Sequence, residues 1–192
     1  MEHQVNQREY RSILTLEPSK NDQYIVEGYA AKWEPYLLYE DGYGPIYERI
    51  DKGSFIGADM KDVIMQYDHR GKVFARMSNQ TLELKIDNIG LFIRADLSKS
   101  QSARDLYEEI KAGLITKMSW GFTIKEWSYD ESTRTFSVLK LKKVFDVSAV
   151  SVPANDDTEI NARTFVVNGV IEQKRQELLV RKRKELEFLS KL

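Results

Sequence analysis

The sequence contains no cysteine and only two histidines in 192 residues. Without thiols there can be no cysteine nucleophile, no disulfide scaffold and no thiolate-ligated metal. The shortage of histidine is more informative, because imidazole is the side chain whose ordinary pKa suits a general base at neutral pH. His3 stands in a polar N-terminal stretch. His69, in Gln66-Tyr67-Asp68-His69-Arg70, is therefore the first candidate for acid–base work. Long apolar runs are also missing: none approaches the roughly 20 residues needed to cross a bilayer. The opening Met1-Glu2-His3-Gln4 lacks the basic and then apolar order of a signal peptide, so a soluble intracellular protein with no membrane partner is expected. A net charge of −1 gives no general pull towards nucleic acid. Gly71-Lys72-Val73 lacks the spacing and hydroxyl of a phosphate-binding loop, and no G-x-G-x-x-G occurs. No cofactor and no metal are expected.

What is present reads as strands. Residues 1–22 are polar and are expected to be irregular. From Gln23 the chain turns β-like, with Tyr24-Ile25-Val26-Glu27-Gly28-Tyr29-Ala30 rich in β-branched and aromatic residues. A Gly- and Tyr-rich loop is expected from Pro35 to Pro45, then a short extended piece, Ile46–Ile50. Val63–Tyr67 reads as a buried strand that delivers His69 to its end. Thr81–Ile86 alternates, Asp87-Asn88-Ile89-Gly90 turns, and Leu91–Leu97 pairs back as a hairpin. One helix is expected, opened by Ser102-Ala103-Arg104-Asp105 as a capping box and closed at Gly113. Strands resume over about 117–127, 134–141 and 144–152, and Pro153-Ala154-Asn155-Asp156 ends the run.

The tail from Val170 differs in kind. It carries seven Lys/Arg against four Glu, so a chain of net −1 holds −4 over its other 169 residues. Ile171, Leu178, Leu179, Leu186 and Leu189 form a narrow stripe at helical spacing. The expected organisation is a polar segment (1–22), one β-rich domain (23–165), and a charged amphipathic helix (170–192) suited to partner binding or self-association. Strands that do not alternate with helices argue for a small α+β or β-barrel domain rather than a βαβ sandwich.

Three residues form a chemically complete nucleophilic set: Ser119, His69 and Asp146. A serine hydroxyl attacks poorly unless a base takes its proton, and a carboxylate on the far ring nitrogen steadies the imidazolium that forms. Asp146 is unusual where it stands, because Val144-Phe145-Asp146-Val147 would bury it unless His69, an arginine or a backbone amide pairs with it. Gly121, two residues after Ser119, lets backbone approach a substrate closely. A Ser119–Lys117 dyad competes, since the two share a strand face, but it needs a desolvated, neutral lysine. Spacings of 50 and 27 residues leave it to the fold to bring the three together.

In order along the chain, these segments resemble the prohead (maturation) proteases of tailed bacteriophages. Tyr47–Phe55 resembles the family's early block, and Met65-Gln66-Tyr67-Asp68-His69-Arg70 through Arg76 its histidine block. Gly90–Leu97 resembles the strand that follows, Met118-Ser119-Trp120-Gly121-Phe122 the serine block, and Phe145–Asn155 the closing motif. The resemblance spans roughly residues 8–163. It implies a herpesvirus-protease-like β-barrel with a few helices, and a serine endopeptidase working inside the immature capsid in the host cytoplasm. It implies the major capsid protein or its scaffolding domain as substrate, together with self-cleavage. Ser119 would be the nucleophile, His69 the base and Asp146 the third member. The family often has Glu where Asp146 stands, and the shorter arm demands a closer strand. Trp120 replaces a smaller aliphatic residue and would bear on the pocket wall. A second reading from the same residues is a non-catalytic capsid-assembly protein that kept the fold.

Overall fold

The computed structural model describes residues 8–20, 23–151, 176–177 and 179–184. The chain divides into two units, 1–156 and 157–192. In the second, the described residues 176–177 and 179–184 are helical, all within the segment expected as a charged helix. The rest of 170–192, the Pro153–Asp156 stop and the 165 boundary lie outside the described residues.

Among its described residues the first unit is β-rich, with one α-helix. Its strands are β1 (Glu9–Pro18), β2 (Ile25–Lys32), β3 (Tyr36–Asp41), β4 (Gly44–Ile50), β5 (Ile64–Tyr67), β6 (Arg70–Arg76), β7 (Leu82–Ile86), β8 (Gly90–Asp96), β9 (Lys117–Asp130) and β10 (Thr135–Val150). They form one sheet in the order β3-β4-β10-β9-β1-β2-β8-β7, with β5 branching off β10 and β6 pairing with β5. Among the described residues no ladder joins β3 to β7. The sheet is therefore an open path, not the closed barrel expected.

Three further expectations are corrected. Glu9–Pro18, read as part of an irregular segment, is strand β1, pairing antiparallel with both β9 and β2. Its alternation escapes notice because the residues facing one side are charged. The expected loop Pro35–Pro45 contains most of a hairpin: β3 pairs with β4, and the Gly42-Tyr43 turn ends at Gly44, whose φ is +117°. The two strands expected at 134–141 and 144–152 are one continuous strand, which absorbs its irregularities as register shifts against β9.

The buried charges on β1, Glu9 and Arg11, have partners. Arg11 is buried and forks onto Glu48 of β4: Nη2 donates to Oε2 at 2.6 Å and Nε donates to Oε1. Its Nη1 also donates to Glu9 Oε2 at 3.1 Å, and the Tyr36 hydroxyl donates to Glu48 Oε1. Burial works against the Arg11 charge, but the Glu48 carboxylate more than offsets it and raises the guanidinium pKa. Burial, and then the Glu48 charge, drive the Tyr36 pKa well up, so the hydroxyl stays a donor. Removing one partner would strand a buried charge, which ties β1 to β3 and β4 in one register.

The helix α1 (Gln101–Lys111) buries Ala103, Leu106, Tyr107 and Ile110. Its N-cap is Ser100, not Ser102: the Ser100 side chain accepts from Ala103 N at 3.2 Å. Gly113, at φ +74°, sits just past the C-terminus, where the left-handed cap was expected. The hairpin β7–β8 turns on Asp87, whose Oδ1 accepts from Ile89 N at 2.7 Å and Gly90 N at 3.0 Å. The core on one face of β9 is aromatic. Trp120 and Phe122 stack at 4.0 Å between centroids, and Phe55 lies 5.7 Å from Trp120. Such pairs contribute about 0.5–1.5 kcal/mol each beyond burial.

Candidate active site

Paired residues on neighbouring strands share a face of the sheet, and this places the candidate residues. On β9 and β10, Ser119 is opposite Ser148 and Gly121 is opposite Asp146. On β1 and β9, Tyr10 is opposite Gly121 and Arg11 is opposite Trp120. Ser119, Gly121, Asp146, Ser148 and Tyr10 therefore lie on one face, and Arg11, Trp120 and Phe122 on the other. Trp120, expected on the pocket wall, is instead 1% exposed in the aromatic core behind the serine.

The histidine arrives from the other side of β10. Strand β5 runs parallel to β10, with Asp146 beside Ile64 and Ala149 beside Tyr67. As the sequence suggested, β5 ends just before His69. Asp68 and His69 form the two-residue turn into β6, with φ of +45° and +58°. Positive φ at both central positions marks the mirror-image turn that suits tight hairpins, and Asp and His adopt it more readily than most residues. The turn is pinned to the end of β10. Asp68 N donates to Ala149 O at 3.0 Å, and the Asp68 carboxylate accepts from Ser151 N at 3.0 Å and Ser151 Oγ at 2.9 Å. The Tyr10 ring packs against the imidazole at 4.2 Å between centroids, tilted by 53°.

The result is a continuous hydrogen-bonded chain. His69 Nε2 is 2.6 Å from Ser119 Oγ, and His69 Nδ1 is 2.5 Å from Asp146 Oδ2. Asp146 is fully buried, yet each of its oxygens has a donor besides any from His69. Ser148 Oγ donates to Oδ2 at 2.7 Å, and Arg8 Nη2 donates to Oδ1. Burial pushes the Asp146 carboxyl pKa up, but His69, Ser148 and Arg8 together hold it below its ordinary 3.8. The carboxylate is thus charged at neutral pH and can accept from Nδ1–H. That leaves a lone pair on Nε2 directed at the serine hydroxyl. The short arm of aspartate reaches because β5 lies directly against β10. The hydrogen bond from Ser119 goes to His69, which favours the histidine over Lys117 as the serine's partner.

All three residues singled out from sequence are brought together. Sequence reasoning does not reach Arg8 and Tyr10, because residues 1–22 read as irregular, nor the bond from Ser148 to Asp146. A period of two starting at Arg8 (8, 10) would have put both on one strand face.

Comparison with known proteins bears on the same strands. A family model described as caudovirus prohead serine protease matches residues 11–175. The chain is 29% identical over 99 residues to the Prohead protease of Escherichia phage T5. That alignment covers 52% of this chain and 44% of the phage protein, less than half of the relative's length. No solved structure matches the chain. The family match spans most of the sequence and includes Ser119, His69, Asp146 and the strands that carry them, so the chain belongs to the caudovirus prohead serine protease family.

Proposed function

We propose that this protein is a serine endopeptidase of phage capsid maturation, with Ser119 as nucleophile, His69 as general base and Asp146 as the acid that orients it. The observation that carries the reading is the run of two short hydrogen bonds from Asp146 through His69 to Ser119, at 2.5 and 2.6 Å. Ser119 Oγ attacks the scissile carbonyl carbon while its proton passes to His69 Nε2. The new imidazolium is steadied by the ionised Asp146, which keeps its charge and takes no proton. Nε2–H then protonates the departing amine as the C–N bond breaks. A water molecule, deprotonated by the same nitrogen, hydrolyses the Ser119 ester and frees the enzyme.

We read the enzyme as working in the prohead within the host cell, which the description of its family supports. Its substrates are capsid proteins, in our reading the scaffolding segment of the major capsid protein and this chain itself. The β-rich unit is read as an opened version of the herpesvirus-protease barrel. The helical stretch within 170–192 is read as an accessory element for self-association or partner docking.

Co-expression of the Ser119→Ala variant with the cognate capsid protein tests the reading, with N-terminal sequencing of the products. Cleavage should fall at least about a thousandfold. Unchanged cleavage would instead favour a non-catalytic assembly protein on the same fold.

A further inference from the structure

The Asp146 carboxylate serves His69 through Oδ2, and what holds its other oxygen decides how it is turned. We propose that Arg8 is a positioning residue for this site. Its guanidinium grips Asp146 Oδ1, so that Oδ2 is presented to His69. The inference deepens the assignment of Ser119, His69 and Asp146 made above and rests on it.

Three observations carry it. Arg8 Nη2 donates to Asp146 Oδ1, while His69 Nδ1 and Ser148 Oγ share Oδ2. The guanidinium is held between rings, its carbon 4.5 Å from the Phe145 centroid and 5.2 Å from that of Tyr10. This contact favours arginine over lysine, because the flat guanidinium stacks on aromatic faces. The slot for the ion pair is opened by Gly121. A Cβ there would fall 2.4 Å from Asp146 Oδ1, 2.9 Å from Arg8 Nε and 3.1 Å from Arg8 Nη2. A side chain opposite Asp146 would therefore have to push the carboxylate or the guanidinium away from the positions that pair them. Arg8 lies outside the segment 11–175 that matches the family model, so it is a feature of this chain that the family match does not supply.

Without Arg8 the buried carboxylate loses the donor on Oδ1 and is held against turning about its Cβ–Cγ bond only through Oδ2. The Nδ1–H···Oδ2 bond then loosens, and the imidazole with it. The site is consequently complete only when the residues just before β1 lie along β9.

The full chain and its Arg8→Met and Arg8→Lys variants test this. Circular dichroism establishes that each is folded, which is expected because the Arg8 side chain is one-third exposed and precedes the first strand. The first readout is the far-downfield proton resonance of His69 Nδ1–H. The second is phosphonylation of Ser119 by a fluorophosphonate probe, resolved into kinact and KI. Arg8→Met should shift or broaden the resonance and lower kinact about 10- to 100-fold, as loss of an outer partner does for other functional ligands. KI should stay within about twofold, because Arg8 does not touch the reacting atoms. Arg8→Lys should recover part of the loss. A resonance unmoved in Arg8→Met, with kinact within about twofold of the parent, overturns the inference. Failure of the probe to label Ser119 in the parent would count against the nucleophile assignment instead, and the resonance would still decide Arg8.

Discussion

Replacing Asp146 by asparagine probes the site most sharply, because the partners around the carboxylate dictate which way the amide must point. Asparagine offers one acceptor and one donor group where aspartate offered two acceptors. Arg8 can only donate, so the amide oxygen faces Arg8 and the NH2 faces His69 and Ser148. The Ser148 hydroxyl can rotate and accept. His69 can accept at Nδ1 only as the tautomer protonated on Nε2. That tautomer presents N–H to Ser119 Oγ, 2.6 Å away, where the proposed mechanism requires a lone pair to take the serine's proton. Loss of the carboxylate in such a site costs about 10⁴ in kcat, or roughly 5 kcal/mol in the barrier. The same reasoning fixes the sign of a double variant. With Arg8→Met added, nothing holds the amide oxygen at the Oδ1 position, and it can turn to accept from His69. Asp146→Asn/Arg8→Met should then be more active than Asp146→Asn, although each change alone is harmful. Steady-state cleavage of a peptide spanning whatever junction N-terminal sequencing of the capsid products defines, or the labelling rate of Ser119, measures both effects. An Asp146→Asn enzyme within about tenfold of the parent, or a double variant no better than the single, would refute the orientation argument.

Asp146 also makes a stability prediction. Its carboxyl pKa lies below the ordinary 3.8, so its contribution is present above the unfolded pKa and is lost as pH falls through the folded value. Chemical denaturation as a function of pH should show Asp146→Asn with a shallower loss of stability below about pH 4 than the parent. Gly121→Ala puts a methyl carbon 2.4 Å from Asp146 Oδ1 and should cost about 1–3 kcal/mol in thermal unfolding. It should also depress cleavage, because the atom displaced belongs to the site. Arg11→Met leaves Glu48, which is fully buried, without its cation and should destabilise by about 3–5 kcal/mol in urea titrations. Ser100→Ala should cost about 1 kcal/mol as a lost helix cap, whereas Ser102→Ala should stay within about 0.5 kcal/mol; the reverse order would restore the capping box at Ser102.

Much of this was legible in the sequence for local reasons. The hairpin at Asp87, the end of α1 at Gly113 and the short strand before His69 each follow from turn chemistry or alternation within a few residues. The cap at Ser100 is not legible in the sequence because two serines two residues apart offer the same hydroxyl, and only the helix phase chooses between them. Strand β1 is not legible in the sequence because its inward charges, Glu9 and Arg11, look solvent-bound until Glu48 of β4 arrives to pair with the arginine. Trp120 lies away from the serine's pocket because adjacency to Ser119 along a strand means the opposite face, not the same pocket.

The identities of the groups that can do chemistry were determined by the sequence alone: one histidine outside the N-terminal stretch, no thiol, and a serine and an aspartate in apolar strands. Their arrangement was decided by the tertiary structure. A period of two assigns each residue to a face but is silent about which strand lies alongside and in what register. Placing β10 between β9 and β5 is what sets Asp146 across from Gly121 and beneath His69. Placing β1 on the far side of β9 is what brings Arg8 to the same carboxylate. Both depend on contacts between residues far apart in the chain, and no local propensity encodes those.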